Sequence, residues 1–166
     1  SENSFDTTKQ FDRSPYGNDG TLTSGTICNS TTGKYGNGCY FDGINDYVDV
    51  GNDASLNITE AITIEVWTKL KTVSLYNAIL GKNTGVASES YEVFSDTNAN
   101  ALMFISASAF TTTNPFYTAG DWIYTVWTYS DADNKIIVYK NGVLFQEWTT
   151  TATLGSTAGK LIIGKR

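Results

Sequence analysis

The sequence predicts an all-β protein built as a sandwich of two antiparallel sheets. Three observations point there. Ten Tyr, eight Phe and four Trp stand among short apolar runs whose gaps are filled by Thr, Ser, Asn and Gly. Turn signals recur at roughly 8–12 residue spacing, the rhythm of a sandwich or barrel. No segment carries the sustained period of a buried helix. At 166 residues the chain is long enough for one domain with a true core.

Taken in order, the first predicted element is Tyr40–Val50, read as strand, tight acidic turn and strand. Gly43 supplies backbone freedom at the turn, Asn45 and Asp46 are turn formers, and Tyr47 to Val50 alternate at strand period. Asp53-Ala54-Ser55-Leu56 tolerates one short helical turn. In Ala61–Leu70, Ile62, Ile64 and Val66 share one face, while Thr63, Glu65, Trp67 and Lys69 share the other. The first face suits a core, and the mixed second face suits a solvated sheet surface. Further strands are predicted at Tyr76–Gly81, Ser90–Phe94, Leu102–Ala107, Trp122–Tyr129, Lys135–Lys140, Val143–Thr149 and Leu161–Gly164. Asn141-Gly142 is the strongest hairpin signal in the chain. Asp131-Ala132-Asp133-Asn134 makes another turn, and Gly155 to Gly159 a flexible connection.

Composition excludes several function classes. A net charge of −6 repels phosphate backbones, so nucleic acid is not an expected partner. There is no His, which removes the usual general base, the usual zinc ligand and any Ser-His triad. No run is long and apolar enough to insert into a membrane. Cys28 and Cys39 lie in a Gly- and Asn-rich stretch; they close a short loop as a disulfide or stand as two buried thiols. Asn29-Ser30-Thr31 and Asn57-Ile58-Thr59 are glycosylation sequons. With a disulfide, Asn29 and Asn57 point to an extracellular or cell-surface protein.

Phe41-Asp42-Gly43-Ile44-Asn45-Asp46-Tyr47-Val48-Asp49-Val50 resembles the signature of laminin G-like domains in the concanavalin A-like lectin/glucanase superfamily. Three more segments resemble that family in the expected order. They are Asp12 to Leu22, Ile62 to Lys69, and Gly120 to Tyr129 followed by Ile137 to Gly142. The resemblance implies a single domain over residues 1–166 with a concanavalin A-like jelly roll, one sheet curved into a groove. The family continues beyond the Ile162-Ile163-Gly164 strand to a closing strand that lies beside the first, here around Phe5; the chain given ends at Arg166. A missing closing strand would leave a sheet edge open to β-augmentation.

Two acidic turns are candidate calcium sites: Asp12, Ser14, Asn18 and Asp19 in one, Asp42, Asn45 and Asp46 in the other. Calcium takes roughly six to eight oxygen ligands, so either turn would need carbonyls or water to complete a shell. The other reading is that these are Asx-turns serving their own backbone. Candidate ligands are Asp12, Asn18, Asp42 and Asp46. For sugar binding, the loop from Phe110 to Tyr117 stands out, with Asn114, Phe116 and Tyr117, and with Tyr91 as a further ring. Trp67, Trp122 and Trp127 are read as core. No carboxylate pair has the superfamily's catalytic pattern: Glu89 and Glu92 fall on opposite strand faces, and Glu65 lacks an acidic neighbour two residues away.

The expected function is a non-catalytic recognition or adhesion module of a larger surface or secreted protein. Its expected partner is a glycan or glycoprotein, with calcium as a structural cofactor. The alternative is a structural subunit of an extracellular filament or sheath, in which neighbouring copies exchange strands across an open edge. A third reading is an accessory domain of a glycosidase.

Overall fold

The computed structural model describes residues 8–74, 76–83 and 90–165. The expectations about Phe5, Glu89 and Arg166 lie outside the described residues. Fourteen strands occur among them. They are β1 (Lys9–Gln10), β2 (Gly20–Thr23), β3 (Ile27–Asn29), β4 (Gly38–Tyr40), β5 (Tyr47–Gly51), β6 (Ala61–Lys69) and β7 (Asn77–Asn83). Then come β8 (Tyr91–Ser95), β9 (Ala101–Ile105), β10 (Ser108–Thr111), β11 (Trp122–Ser130), β12 (Lys135–Lys140), β13 (Val143–Thr149) and β14 (Lys160–Ile163). A 3-10 turn at Ala54–Leu56, capped by the Asp53 carboxylate accepting from the Ser55 N–H, is the short helical turn that the sequence predicts.

The strands form an eight-stranded sheet, β1-β2-β5-β14-β7-β8-β9-β10, and a four-stranded sheet, β13-β12-β11-β6. All pairings are antiparallel. β3 and β4 stand apart as a two-stranded hairpin. Alternation explains the layering. Along β6, Ile62 and Ile64 are buried while Thr63, Glu65, Trp67 and Lys69 are exposed. β11 sends Ile123, Thr125, Trp127 and Tyr129 inward, and the residues between them are only half-buried. From the other sheet Ile79, Tyr91, Val93, Ala101, Met103 and Ile105 meet them in one core cluster. The Asn141-Gly142 hairpin between β12 and β13 has φ of 52° and 83° at its two residues, the left-handed pair that this dipeptide accommodates.

The sheets are offset. Trp148 of β13 meets Phe110 of β10 with ring centroids 6.3 Å apart. Phe145 of β13 meets Phe116, just past β10, at 4.9 Å. β13 therefore lies over the β10 end, and β6, at the opposite edge of its sheet, lies toward β7 and β14. The β5-β2-β1 end of the larger sheet extends beyond β6. There Phe11, Val48, Val50, Leu56, Leu161 and Ile163 line an open groove of about 410 Å³. Gly20 on β2 is fitted closely at this end: a Cβ there would stand 2.3 Å from the Val48 Cγ1.

β14 joins the sheet between β5 and β7, and a buried lysine holds the loop that leads to it. Lys82 Nζ donates to the Thr157 and Gly159 carbonyls at 3.3 and 2.5 Å and to the Asn52 amide oxygen. The sequence reading missed β1, β2, β3 and β10, which have two to four residues each and too little alternation to register.

Trp127 is 0% exposed and stacks on Trp148 at 5.6 Å. Trp127→Ala should cost roughly 3–5 kcal/mol of stability by cavity formation. Trp148→Ala, at a half-buried sheet edge, should cost less; chemical denaturation of both variants checks the order.

Candidate binding face

The outer face of the four-stranded sheet gathers solvent-facing aromatic rings. Trp67 of β6 stacks on its cross-strand partner Tyr124 of β11, centroids 5.2 Å apart and planes 24° apart. Tyr35 meets Trp67 edge-on at 5.4 Å. Lys34 brings its ammonium to 5.7 Å from the Tyr35 ring and 5.9 Å from Trp67. The Tyr124 hydroxyl donates to Glu65 Oε2 at 2.5 Å. That hydrogen bond is the main cause holding the Tyr124 hydroxyl above its ordinary pKa, since ionisation would set two anions side by side. Trp67 is 38% exposed and Tyr35 73%.

Local sequence explains how this cluster is built. Thr63, Glu65, Trp67 and Lys69 share the outward side of β6, and antiparallel register sets Trp67 opposite Tyr124. Tyr35 and Lys34 arrive from the β3–β4 hairpin, in which Cys28 and Cys39 are directly paired and joined as a disulfide. Inside its loop the Thr32 hydroxyl donates to the Asn29 carbonyl at 3.0 Å and also bonds the Gly38 carbonyl. Rows of side chains on one sheet face repeat about every 6.7 Å, so the face runs about 20 Å from Trp67 to Ala61. At that far end Ala61, Thr63, Thr128, Ser130, Asp133 and Lys135 line a shallow depression of about 560 Å³.

Three of the rings proposed for sugar stacking lie elsewhere. Phe116 is 0% exposed, and Tyr117 and Tyr91 are 3% exposed, all in the core cluster. The Phe116 and Tyr117 backbone N–H groups both donate to the Ala99 carbonyl, which draws the loop inward. Tyr91 donates its hydroxyl to the Leu56 carbonyl, and burial pushes its pKa up to about 12. A ring without an open face cannot stack on a sugar, so these three are packing residues. Asn114 is exposed in the same loop. Trp67 departs from its core reading in the opposite sense. Its place in a regularly alternating strand was the ground for that reading, yet the same alternation sets it beside Glu65 and Lys69 on the outward side. Trp127 is core as read, and Trp122 is half-buried on the outward side of β11.

The acidic turns are occupied by the chain's own donors. Asp12 accepts from the Ser14 N–H at 2.8 Å, the Ser14 hydroxyl at 2.6 Å and the Asn18 N–H at 2.8 Å, and Asp19 accepts from the Asp12 N–H at 2.9 Å. Asn18 donates its amide to Ser55 at 2.9 Å. Asp42 accepts from the Ile44 and Asn45 N–H groups at 2.8 and 3.2 Å. Asp46, 6% exposed, accepts from the Asp42 N–H at 3.0 Å. Among the described residues no group of three His, Cys, Asp or Glu converges on a point. A cation here would have to share these oxygens with backbone donors. Of the sequon residues, Asn29 is exposed, while Asn57 is half-buried with its side-chain oxygen enclosed.

A family model described as the concanavalin A-like lectin/glucanases superfamily, laminin G type, matches residues 41–166. No curated protein sequence matches the chain. Among solved structures, domain 4 of the arabinanase AbnA from Geobacillus stearothermophilus, in complex with arabinotriose, is similar at TM-score 0.67 and 13% identity, covering 89% of this chain and 73% of that one. The binding domain of Paraclostridial Mosquitocidal Protein 1 aligns at TM-score 0.73 and 13% identity, covering 96% of this chain and 42% of that one. The CBM40 of a Ruminococcus gnavus IT-sialidase, bound to α2,3-sialyllactose, aligns at 0.54 and 10% identity, covering 66% of each. At these identities the likeness is one of fold.

The hydrogen bonds to Asp12 and Asp42 hold both carboxyls below the ordinary value of 3.8, chiefly through Ser14 and Ile44. A depressed folded pKa gives stability that is present above the unfolded value and lost as pH falls through the folded one. With no His to titrate, the melting temperature should be flat from about pH 8 to 5 and fall below about pH 4. Asp12→Asn and Asp42→Asn keep an acceptor oxygen and should make that acid decline shallower; melts across the range test it.

Proposed function

The chain belongs to the concanavalin A-like lectin/glucanase superfamily, and from that premise we propose that it is a non-catalytic carbohydrate-recognition module. One observation carries the reading: the Trp67–Tyr124 stack sits on the solvent side of a sheet, flanked by Tyr35, Glu65 and Lys34. Sugars offer an apolar C–H face and a rim of hydroxyls. A stacked, pre-positioned ring pair receives the face at little ordering cost. Glu65 accepts and Lys34 donates to the rim. The glycan complexes of the arabinanase domain and the sialidase module support the class, not the sugar.

A binding role is further supported by the carboxylates. Glu65 is engaged by Tyr124, and Glu92 is buried at 0% exposure. Hydrolysis by the common route needs two acids across one cleft, about 5 to 9.5 Å apart. An extracellular or cell-surface setting belongs to the same proposal, supported by the Cys28–Cys39 disulfide and the exposed Asn29 sequon.

Glycan screening of the purified chain followed by calorimetry tests the reading. Trp67→Ala should lower affinity for the selected glycan by about tenfold or more, equal to about 1.4 kcal/mol, with the fold intact. Equal binding by parent and variant would sink the site.

Calcium held by Asp12, Asn18, Asp42 or Asp46 remains part of the proposal as a stiffener of the turns. It predicts a higher melting temperature in calcium than in chelator, with the difference reduced in Asp46→Ala. Coincident melts in parent protein with calcium and with chelator would remove the metal.

A further inference from the structure

We propose that the outer face of the four-stranded sheet holds a neutral, linear oligosaccharide along its length, with a second sugar subsite in the depression at the far end. This rests on the glycan reading of the Trp67–Tyr124 stack and adds the length and charge of the ligand. Cross-strand register builds the path. Next to the stack, Glu65 lies opposite Val126, and Val126 opposite Tyr139. The following row is Thr63, Thr128 and Ile137, and the last is Ala61, Ser130 and Lys135. Rows on one face step by about 6.7 Å, so the depression begins about 13 Å from the stack. A single sugar ring cannot touch both ends, whereas a chain of them can.

Side-chain size opens the depression. Outward on β6, Lys69 and Trp67 stand at one end and only Thr63 and Ala61 at the other, both exposed. Tyr129 reaches the depression, but it is 2% exposed and belongs to the core cluster, so no ring is offered there for stacking. The Thr63, Thr128 and Ser130 side chains present hydroxyls instead, the groups that hold a sugar by its rim. Ser130 Oγ donates to Asp133 Oδ2 at 2.8 Å and accepts from the Asp133 N–H at 3.2 Å, which fixes that carboxylate at the edge. The two ends are therefore complementary: rings for the apolar face of one sugar, hydroxyls for the rim of another.

Charge sets the class. On a chain of net charge −6, the charges that flank this path balance: Lys34, Lys69 and Lys135 stand against Glu65, Asp133 and Glu147. Lys135 and Glu147 pair at 3.6 Å, and Glu65 and Asp133 each accept from a hydroxyl of the protein. No surplus of either sign remains to match a uronate or a sulfate, and a chain of uncharged hydroxyls fits.

Calorimetry on the full chain tests this with cello-, xylo-, manno- and arabino-oligosaccharides, each from disaccharide to hexasaccharide, and with oligogalacturonides as the charged control. A neutral series should gain about tenfold in affinity from disaccharide to tetrasaccharide and then level off, because a second linked contact adds affinity through effective concentration. The gain should persist as salt rises from about 50 to about 500 mM. Thr63→Val combined with Lys135→Met, both at exposed positions, should return the tetrasaccharide to disaccharide affinity and leave the disaccharide unchanged. Trp67→Ala should weaken both. Affinity that does not rise with length in any series that binds would overturn the second subsite and leave the ring-pair site standing. Tighter binding of oligogalacturonides than of every neutral series would overturn the neutral class. Silence from every series, charged and neutral, would remove the glycan reading and this inference together.

Discussion

The structure depends on the alternation along β11. This strand is paired on both sides, with β6 and with β12, so its register dictates what the whole smaller sheet shows to each layer. Ile123, Thr125, Trp127 and Tyr129 turn inward, and Trp127 with Tyr129 supplies two of the largest enclosed side chains in the molecule. Tyr124 and Val126 turn outward in the same stroke. A slip of one residue would bring Tyr124 into the core and Trp127 into water, removing core and aromatic face together. The two are opposite sides of one pattern, and neither can shift register without the other.

The two layers divide labour by width. Eight strands form one sheet and four the other, and the core cluster forms where they overlap. Beyond the overlap the larger sheet carries Val48, Val50, Leu161 and Ile163 on a surface that, among the described residues, the smaller sheet does not reach. The Tyr129 hydroxyl illustrates how polar groups inside the overlap are accommodated: it donates to the Ala152 carbonyl at 2.7 Å and so ties the segment after β13 to the core.

Long elements were legible in the sequence. β6, β11, β12 and β13 have six to nine residues, β6 and β11 with clear period-two patterning, and each was read near its true bounds. The Asn141-Gly142 hairpin and the turn capped by Asp53 followed from side-chain chemistry alone. The aromatic face was legible only in part. Trp67, Glu65 and Lys69 were assigned to one side of β6, yet Trp67 was weighed as core because it lies in a regularly alternating strand. Tyr124 joins it through a cross-strand register that no single strand reveals. Tyr35 comes from a loop 32 positions away in sequence, brought near by a hairpin too short to show alternation. Phe116 and Tyr117 were misjudged for the opposite reason: a loop suggests exposure, but bonds from both N–H groups to the Ala99 carbonyl pull this one into the interior.

The β3–β4 hairpin belongs to neither large sheet and is closed on itself by Cys28–Cys39. Lys34 and Tyr35 can therefore be exchanged for other residues with little consequence for the packing between the layers. Evolution, or an engineer, can treat positions 34 and 35 as an interchangeable pair, held over a fixed Trp67–Tyr124 base by a loop that Thr32 and Gly33 keep in shape. The surface shown at this corner can then diverge among descendants while their folding machinery stays shared.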